Sequence, residues 1–269
     1  MISFPNCKIN IGLNILGKRK DGYHEINTLM YPVPIHDVLE IIPHKNFSFS
    51  SSGLPIPGKY EDNLVIKAYE LLKPEFNLAP VHIHLYKNIP MGGGLGGGSS
   101  NGAFALKMLN EIFKLNLNER QLQDRALKLG SDCPFFISNC PQLAKGRGEV
   151  LEKHPLNLKG SFLMLVNNGI HINTKEAYAR VEPKTPNYFI ENLVMEPFES
   201  WKSDVYNDFE VPTLDKYPDL QTIKDKLYAN GAFYAAMTGS GSTMYGLFAE
   251  KPSSQLFNFP NGFVQVVAL

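Results

Sequence analysis

Pro90-Met-Gly-Gly-Gly-Leu-Gly-Gly-Gly-Ser-Ser-Asn101 is the most informative segment of this sequence. Six of the seven residues at positions 92–98 are glycine, although each glycine costs about 1 kcal/mol against alanine in a regular element. Apolar residues at helical spacing follow directly, at Ala105, Met108, Leu109, Ile112 and Phe113. Accessible backbone N–H groups at the start of a helix bind anions, above all phosphate. The stretch therefore predicts a phosphate-binding loop, with Ser99 or Ser100 near the start of the helix.

Three other phosphate-binding motifs fit this loop less well. A Walker loop needs lysine after its last glycine, and here Gly97 is followed by Gly98. Gly92-x-Gly94-x-x-Gly97 matches the dinucleotide fingerprint, but residues 115–119 do not resemble the strand end with an acidic residue that this fold requires. The protein-kinase motifs His-Arg-Asp and Asp-Phe-Gly are absent from the sequence. A dinucleotide-dependent oxidoreductase and a non-catalytic nucleotide-binding module stay open as alternatives.

Strand and helix patterns alternate irregularly around the loop. From Lys8 to Ile15, apolar residues alternate with polar or small ones, which predicts a half-buried strand with Lys8 and Asn10 on the face away from the core. Further strands are predicted at 26–33, 37–43, 81–87, 162–166, 232–237, 244–248 and 263–268. Helices are predicted after N-caps at Asn63 and Asn118 and at 174–181 and 219–229. This order predicts an α+β fold with two domains, 1–155 and 156–269.

The composition is that of an ordinary globular protein. Of 269 residues, 26 are Lys or Arg and 26 are Asp or Glu, so the formal net charge is zero. A general nucleic-acid or membrane-surface binder normally carries a basic excess, which is absent here. Apolar runs are short, as in the five residues Phe162 to Val166, whereas a membrane span needs about 20. We therefore expect neither a nucleic-acid partner nor a membrane partner.

The cysteines and histidines predict no metal site. Cys7, Cys133 and Cys140 are odd in number and form no CxxC motif, which disfavours a disulfide framework and a zinc site. His82 and His84 share one face of a predicted strand, but no third ligand is evident, so we expect surface histidines. The N-terminal segment lacks the basic and apolar regions of a signal peptide. These features predict a reduced, cytoplasmic protein.

Three motifs together resemble those of the GHMP kinases, the superfamily that includes galactokinase, homoserine kinase and mevalonate kinase. The stretch 90–101 resembles their ATP-binding motif, and Met237-Thr-Gly-Ser-Gly-Ser242 resembles their third, glycine-rich motif. Lys8-Ile-Asn-Ile-Gly-Leu, followed by Lys18-Arg-Lys-Asp-Gly-Tyr-His24, resembles the N-terminal motif of one member. The same member agrees at 131–136, 146–149 and 207–210. The resemblance covers nearly the whole chain and implies a two-domain α+β fold, with an N-terminal domain like domain 2 of ribosomal protein S5 and a ferredoxin-like C-terminal domain.

The resemblance implies a small-molecule kinase of non-mevalonate isoprenoid biosynthesis. Such an enzyme moves the γ-phosphoryl group of ATP, with Mg²⁺ carried by the nucleotide, to the tertiary 2-hydroxyl of a substrate that bears a cytidine diphosphate group. The alternative within the superfamily is a mevalonate or homoserine kinase, whose substrates lack the cytidine that Asp-Gly-Tyr-His would serve. Either a monomer or a homodimer is compatible with the sequence.

The resemblance implies a catalytic pair, Lys8 and Asp132. Asp132 would accept or orient the hydroxyl proton, while the Lys8 ammonium would lower the pKa of Asp132 and stabilise charge in the transition state. The sequence departs from the family pattern beside both residues. Asn6-Cys7 stands where the family usually has Pro-Ala, and Cys133 stands where it usually has valine. The departures flank the reactive groups and do not replace them.

The resemblance also implies two sets of binding residues. The ATP-binding residues would be Asn63, Lys87, Pro90, Met91, Gly92, Gly93, Gly94, Leu95, Gly96, Gly97, Gly98, Ser99 and Ser100, with Asn63 and Lys87 at the adenine. The substrate-binding residues would be Asn10, Tyr23, His24, Thr174, Tyr178, Gly239 and Gly241. Tyr23 would stack on cytosine and His24 would pair with its edge, while Tyr178 would close a sandwich around the base. Asp208 is either a site residue or a helix cap.

Overall fold

The structure, a computed structural model, describes residues 1–260 and 262–269. The strands, β1 to β12 in chain order, are Ile2–Ser3, Asn6–Lys18, His24–His36, Val38–Pro43, Ser48–Gly53, Val81–Lys87, Gln142–Gly146, Val150–Lys153, Phe162–Asn167, Tyr234–Met237, Met244–Phe248 and Phe263–Ala268. The helices, α1 to α8, are Leu64–Phe76, Gly97–Ile112, Glu119–Leu129, Phe135–Ser138, Thr174–Ala179, Phe198–Asp204, Glu210–Lys216 and Pro218–Ala229. Within the described ranges, no helix combines the length and the apolar character that a bilayer crossing requires.

The predicted elements are confirmed at most positions. The strand predicted at 81–87 is β6, and the helix predicted after the glycine loop is α2, which begins at Gly97. The Asn63 side chain caps α1, and Asn118 forms a capping box with Gln121 at the start of α3. The sequence did not predict β5, because five of its six residues, all except Phe49, are serine or glycine. This strand forms through its parallel pairing with β6.

The prediction that the strand after Lys8 is half-buried is wrong. In β2, the ten residues from Asn6 to Ile15 are all buried, so both faces of the strand are covered. The polar side chains of Lys8, Asn10 and Asn14 therefore lie in the interior. Buried polar groups are stable only when hydrogen-bonded or ion-paired, so each polar residue here must be explained by its partners.

The chain divides into two compact units built from interleaved segments. Unit 1 comprises Met1–Lys8, Ile35–Met91 and Gly96–Cys140. Unit 2 comprises Ile9–Pro34, Gly92–Leu95 and Pro141–Leu269. The glycine loop contributes Gly92–Leu95 to unit 2 and its remaining glycines to unit 1. A single boundary near residue 155, with domains 1–155 and 156–269, stays a prediction.

Unit 1 contains one sheet covered by helices. Its strand order is β1-β4-β6-β5, antiparallel except for the pair β5 and β6. Helix α1 packs on α2, and α2 packs on β4, α3 and α4. Buried apolar residues on these elements, among them Leu72, Ile83 and Leu106, form its interior. The core therefore fixes α2, the helix that follows the glycine loop.

Unit 2 contains two four-stranded sheets. One has the order β2-β3-β7-β8, and the other has the order β10-β11-β9-β12 with all pairs antiparallel. The second order agrees with the expected ferredoxin-like topology. The connection from β11 to β12 departs from it, because its described residues form the 3-10 turn Ser254–Leu256 where that topology has a helix. Helix α8 packs on β10 and β11 through Leu220, Ile223 and Leu227, which are buried.

A buried carboxylate in unit 1 ties together the elements that surround the start of α2. Asp37, which precedes β4, accepts hydrogen bonds from the backbone N–H groups of Asn88 and Ile89 at 2.7 and 2.8 Å. It also accepts one from Asn101 Nδ2 of α2 at 2.8 Å and pairs with the Lys87 ammonium. Burial lowers the pKa of Lys87, and Asp37 opposes that shift. The ion pair is thus held inside the fold by four donors on one carboxylate.

We expect the two halves of this ion pair to respond differently to substitution. Asp37→Ala leaves the Lys87 ammonium buried without its counter-charge, so the free energy of unfolding falls by about 3–5 kcal/mol. Lys87→Met leaves three N–H donors on Asp37, so its loss is smaller. Urea unfolding followed by circular dichroism measures both values. The fluorescence of Trp201, the one tryptophan, reports on unit 2 in parallel. Equal losses for the two variants would contradict this account.

Candidate active site

The start of α2 has a backbone geometry that favours an anion. Gly96 caps it in the left-handed conformation, with φ of 68°, and no side chain caps it. The first hydrogen bond of the helix runs from Ser100 N–H to the Gly96 carbonyl at 2.9 Å. The N–H groups of Gly97, Gly98 and Ser99 precede this bond and have no carbonyl acceptor within the helix. With the positive end of the helix dipole, they favour a phosphate.

The predicted catalytic residues lie together in unit 1. Lys8 Nζ is 3.7 Å from Asp132 Oδ2, and the side chains are 4% and 35% exposed, respectively. A Cβ on Gly96 would lie 3.1 Å from Lys8 Cγ and 3.0 Å from Phe136 Cζ. The lysine stem therefore packs against the last residue before α2, where only glycine leaves room for it. The structure brings Lys8, Asp132 and the start of α2 together.

Burial controls the electrostatics of this cluster. It lowers the pKa of the Lys8 ammonium, and the Asp132 carboxylate opposes the shift. An ammonium withdrawn from water interacts more strongly with a nearby anion than an exposed one does. The pair therefore combines a buried positive charge with a carboxylate that solvent and ligands can reach.

The two cysteines that depart from the family pattern are buried and unreactive. Burial raises the pKa of Cys7 to about 12. Burial also raises the pKa of Cys133 to about 12, although a hydrogen bond with the Ser99 side chain opposes this shift. Because the thiolate is the reactive form, both residues act as small packing side chains. All three cysteines are free thiols, as the sequence predicted.

The first half of the glycine loop rests on the third glycine-rich motif within unit 2. A Cβ on Gly94, whose φ is +78°, would overlap the carbonyl oxygen of Thr238. Thr238 Oγ1 donates to the Gly94 carbonyl at 3.1 Å, and Thr243 N–H donates to the Gly93 carbonyl at 3.3 Å. Backbone contact this close requires glycine at position 94. A Cβ on Gly93 would lie 2.6 Å from Thr243 Oγ1, so packing within unit 2 accounts for both glycines without reference to a ligand.

Of the two glycines predicted in this motif, only Gly239 approaches the loop. A Cβ on Gly239 would lie 3.2 Å from Gly94 Cα. A Cβ on Gly241 would instead lie 2.6 Å from Met237 Sδ and 2.9 Å from Ile172 Cδ1. Gly241 thus packs on the apolar core of unit 2, and its substrate contact stays a prediction.

The segment Asn207-Asp-Phe-Glu210 supports the third motif. Asn207 Nδ2 donates to the carbonyls of Met237 and Gly239, both at 2.8 Å, and Glu210 Oε1 accepts from Met237 N–H. Asp208 accepts from Ile15 N–H at 2.7 Å and pairs with Lys184 at 3.1 Å. Asp208 thus ties this segment to β2 and does not cap a helix, while a role in the site stays a prediction. The roles of Asn207 and Glu210 depend on long-range contacts, so the sequence alone did not predict them.

The predicted cytosine-binding residues lie around the turn between β2 and β3. The rings of His24 and Tyr178 stack with centroids 4.8 Å apart and an interplanar angle of 23°. Tyr178 also packs edge-on against Phe209. His24 thus covers one face of the Tyr178 ring, and the sandwich around the base stays a prediction. Tyr23 is 53% exposed, and its ring lies beneath the Arg147 guanidinium.

The remaining predicted substrate residues have partners inside unit 2. Asn10 Nδ2 donates to Thr28 Oγ1 at 3.1 Å, and Asn10 N–H donates to Thr238 Oγ1 at 3.0 Å. The hydroxyls of Thr174 and Ser240 are 3.2 Å apart at an exposed position. Asn10 thus belongs to the network that holds the third motif. Thr174 stays accessible to a ligand.

Asn63 and Lys87, the residues predicted to contact adenine, form bonds within the fold. Asn63 Oδ1 accepts from Val65 N–H at 3.0 Å as the cap of α1. Lys87 is fully buried against Asp37, and its Nζ is 3.0 Å from the position of a Cβ on Gly97. The prediction that Lys87 contacts adenine is therefore corrected, because its side chain has no exposed surface and instead supports the start of α2.

Few groups near the loop suit a metal ion. Ser100 Oγ is buried without a hydrogen-bond partner, and the Ser99 hydroxyl bonds to the Cys133 thiol. Within the part of the chain that the structure describes, no three His, Cys, Asp or Glu residues are grouped to hold a metal. Any ion here would take its other ligands from a phosphate and from water.

Comparison with known proteins identifies the family. Residues 63–139 match the family model of the GHMP kinases N terminal domain, and residues 190–258 match that of the GHMP kinases C terminal domain. The 4-diphosphocytidyl-2-C-methyl-D-erythritol kinase of Cytophaga hutchinsonii is 50% identical over 94% of this chain and 94% of its own length. The chain belongs to the 4-diphosphocytidyl-2-C-methyl-D-erythritol kinase family of GHMP kinases. A kinase of the same name from Bacteroides thetaiotaomicron is 50% identical over 92% of both chains.

Solved structures agree with this family. A crystal structure of 4-(cytidine 5'-diphospho)-2C-methyl-D-erythritol kinase matches with a TM-score of 0.82 and 28% identity, over 100% of this chain and 99% of the other. The mevalonate kinase of Methanococcus jannaschii matches with a TM-score of 0.70 at 15% identity, over 99% and 96%. The second likeness shows the fold alone. The two-domain GHMP kinase fold is thus confirmed, and the oxidoreductase and non-catalytic alternatives are set aside.

We expect Gly94 and Gly98 to differ sharply in their tolerance of alanine. Gly94→Ala places a side chain in the left-handed region and against the Thr238 carbonyl, so the free energy of unfolding falls by at least about 1–2 kcal/mol. Gly98→Ala lies inside α2, where the nearest atom is Met91 Cε at 3.5 Å, so it gains up to about 1 kcal/mol. Urea midpoints of the two variants measure the difference. Similar midpoints would contradict the close contact between Gly94 and Thr238.

We expect Lys8→Met to lose activity without losing stability. The kinase kcat falls about 10²–10³-fold because the charge opposite the phosphoryl group is gone. The free energy of unfolding does not fall, because the cost of burying the ammonium disappears and Asp132 keeps contact with solvent. Lys73→Met, in an exposed pair with Glu70 at 3.8 Å, is the control.

The same variant tests the direction of the Lys8 pKa shift. The unfolded chain keeps the Lys8 proton to a higher pH than the folded chain does, so the wild type gains stability as pH rises through the lowered pKa. Over the same window its activity falls, because the charged form is lost. Lys8→Met should lack this rise in stability. A rise of the same size in wild type and variant would contradict the assignment.

Proposed function

We propose that this protein phosphorylates the 2-hydroxyl of 4-diphosphocytidyl-2-C-methyl-D-erythritol with ATP, giving the 2-phosphate and ADP in isoprenoid precursor biosynthesis. The observation that carries the proposal is the Lys8–Asp132 ion pair packed against Gly96, the cap of α2. The names of the relatives that are 50% identical over most of this chain support the choice of substrate. The same proposal includes a cytoplasmic location, which fits three free thiols.

The reaction asks the protein for alignment and for charge stabilisation. The substrate oxygen bonds to the γ-phosphorus as the bond from that phosphorus to the bridging oxygen breaks and ADP leaves. Asp132 accepts or orients the hydroxyl proton, since a carboxylate within hydrogen-bond reach can do either. The Lys8 ammonium offsets the negative charge on the transferred group.

The glycine loop is the proposed site of the ATP phosphates. The N–H groups of Gly97, Gly98 and Ser99 donate to phosphate oxygens, as the capping geometry of α2 supports. Mg²⁺ bound with ATP would neutralise charge on the phosphates, and the hydroxyl of Ser99 or Ser100 would be its protein ligand. A single protein ligand is sufficient for Mg²⁺, because this ion keeps several water ligands.

The turn between β2 and β3 is the proposed site of cytosine. Tyr23 offers an exposed ring for stacking, and His24 offers an imidazole for the donor and acceptor edge. Burial lowers the pKa of His24, which favours the neutral imidazole that both donates and accepts. The exposed Thr174 hydroxyl is a further candidate contact for the substrate.

The decisive experiment is a coupled ADP-release assay with the cytidylated substrate, with mevalonate and homoserine as comparisons. We expect turnover with the cytidylated substrate only. Asp132→Asn should lower kcat about 10²–10⁴-fold, because the amide cannot accept the proton as the carboxylate does. Glu70→Gln is the matched control, because it breaks an exposed lysine–carboxylate pair on α1 at a similar distance.

Two outcomes would overturn the proposal. Turnover with mevalonate or homoserine alone would refute the substrate. Full activity of Asp132→Asn would refute the role of the carboxylate while leaving the substrate intact.

A further inference from the structure

Arg147 lies over the exposed ring of Tyr23 and has no part in the proposed function so far. Its guanidinium carbon is 4.7 Å from the ring centroid, and its side chain is 29% exposed. The Arg147 backbone is in the turn between β7 and β8, and Tyr23 is in the turn between β2 and β3. Both turns belong to unit 2.

The backbone of Tyr23 is fixed by its own turn. Arg19 N–H donates to the Tyr23 carbonyl at 2.8 Å, and Gly22 N–H donates to the Arg19 carbonyl at 3.1 Å. Tyr23 N–H donates to Asp21 Oδ1 at 3.1 Å. These bonds set where the ring is attached, but they leave its rotation about the side-chain bonds undetermined. More than half of the ring surface is exposed, so packing alone does not hold it.

The turn that carries Arg147 is tied to the Tyr23 turn. Glu25 Oε1 accepts from Gly146 N–H at 3.1 Å, and Glu25 Oε2 accepts from Arg19 Nη1 at 2.8 Å. Gly146 also pairs with Ile26 of β3. One carboxylate thus joins both turns, and it fixes the point from which the Arg147 side chain extends.

The Arg147 side chain is itself oriented by a carboxylate. Glu149 Oε1 is 3.5 Å from Arg147 Nε, and Glu149 Oε2 accepts from Arg147 N–H. The Glu149 carboxylate thus restrains the Arg147 side chain, whose guanidinium lies over the Tyr23 ring. The arrangement places a preformed cation over one face of Tyr23.

We propose that Arg147 is a positioning residue for substrate recognition, which holds the Tyr23 ring so that its other face receives the cytosine. This inference rests on the proposed function. A base stacks well only on a ring of fixed orientation, and a ring already held loses less freedom when the base binds. A guanidinium stacked on one face leaves the opposite face open.

The experiment compares Arg147→Met and Arg147→Lys with the wild type in the ADP-release assay. For Arg147→Met we expect the KM of the cytidylated substrate to rise about two- to fivefold, the effect of an exposed cation over a ring. The kcat and the KM of ATP should not change. Arg147→Lys should recover part of the loss, because lysine keeps the charge but lacks the planar face.

A double-mutant cycle with Tyr23→Leu separates positioning from direct contact. Calorimetric binding of cytidine 5'-diphosphate is the readout, so the cycle does not depend on residual turnover. We expect Arg147→Met to weaken binding in the wild type and to have no further effect once the Tyr23 ring is gone. Arg125→Met is the matched control, because Arg125 also lies over a ring, that of Phe76, and pairs with Glu75.

Each alternative outcome overturns the inference. A lower KM in Arg147→Met would mean that Arg147 occupies the place of the base. An equal loss with and without the Tyr23 ring would mean that Arg147 binds the substrate directly. An unchanged KM would mean that it does neither. If instead the wild type fails to turn over the cytidylated substrate, it is the proposed function that falls.

Discussion

The buried ammonium of Lys8 is the constraint on which the catalytic cluster depends. The Lys8 stem lies in the space that a side chain at Gly96 would need, so the position of the lysine and the glycine cap of α2 depend on each other. The same packing brings the ammonium to 3.7 Å from Asp132. The fold thus holds a desolvated cation where a helix start already favours an anion.

The second buried lysine of unit 1, Lys87, forms an ion pair that differs from the Lys8–Asp132 pair in its exposure to solvent. Lys87 faces Asp37, whose oxygens also accept from Asn88, Ile89 and Asn101, and neither member of the pair is exposed. Four donors already bond to the Asp37 carboxylate, and the pair is inaccessible to a ligand. It therefore stabilises the elements around the start of α2. The two pairs differ in access, because the Asp132 carboxylate is partly exposed whereas the Asp37 carboxylate is fully buried.

The sequence predicted the structural features that depend on residues close together along the chain. The caps at Asn63 and Asn118, the strand 81–87 and the helix after the glycine loop follow from local patterns, and the structure has them. The buried Lys87 and the ring contact of His24 with Tyr178 depend on residues far away in sequence. Alternation along one strand cannot show that both of its faces are covered, which is why β2 was predicted as half-buried.

The proposed function places chemistry and substrate recognition in different parts of the chain. The mevalonate kinase shares the fold at 15% identity, so the fold alone does not select a substrate. The start of α2 presents backbone N–H groups. Such groups bind phosphate whatever nucleoside carries it. The turn around Tyr23 and the turn that carries Arg147 instead present side chains at a protein surface, joined by the Glu25 carboxylate. Selectivity can therefore change through these two turns while the buried Lys8 cluster stays as it is.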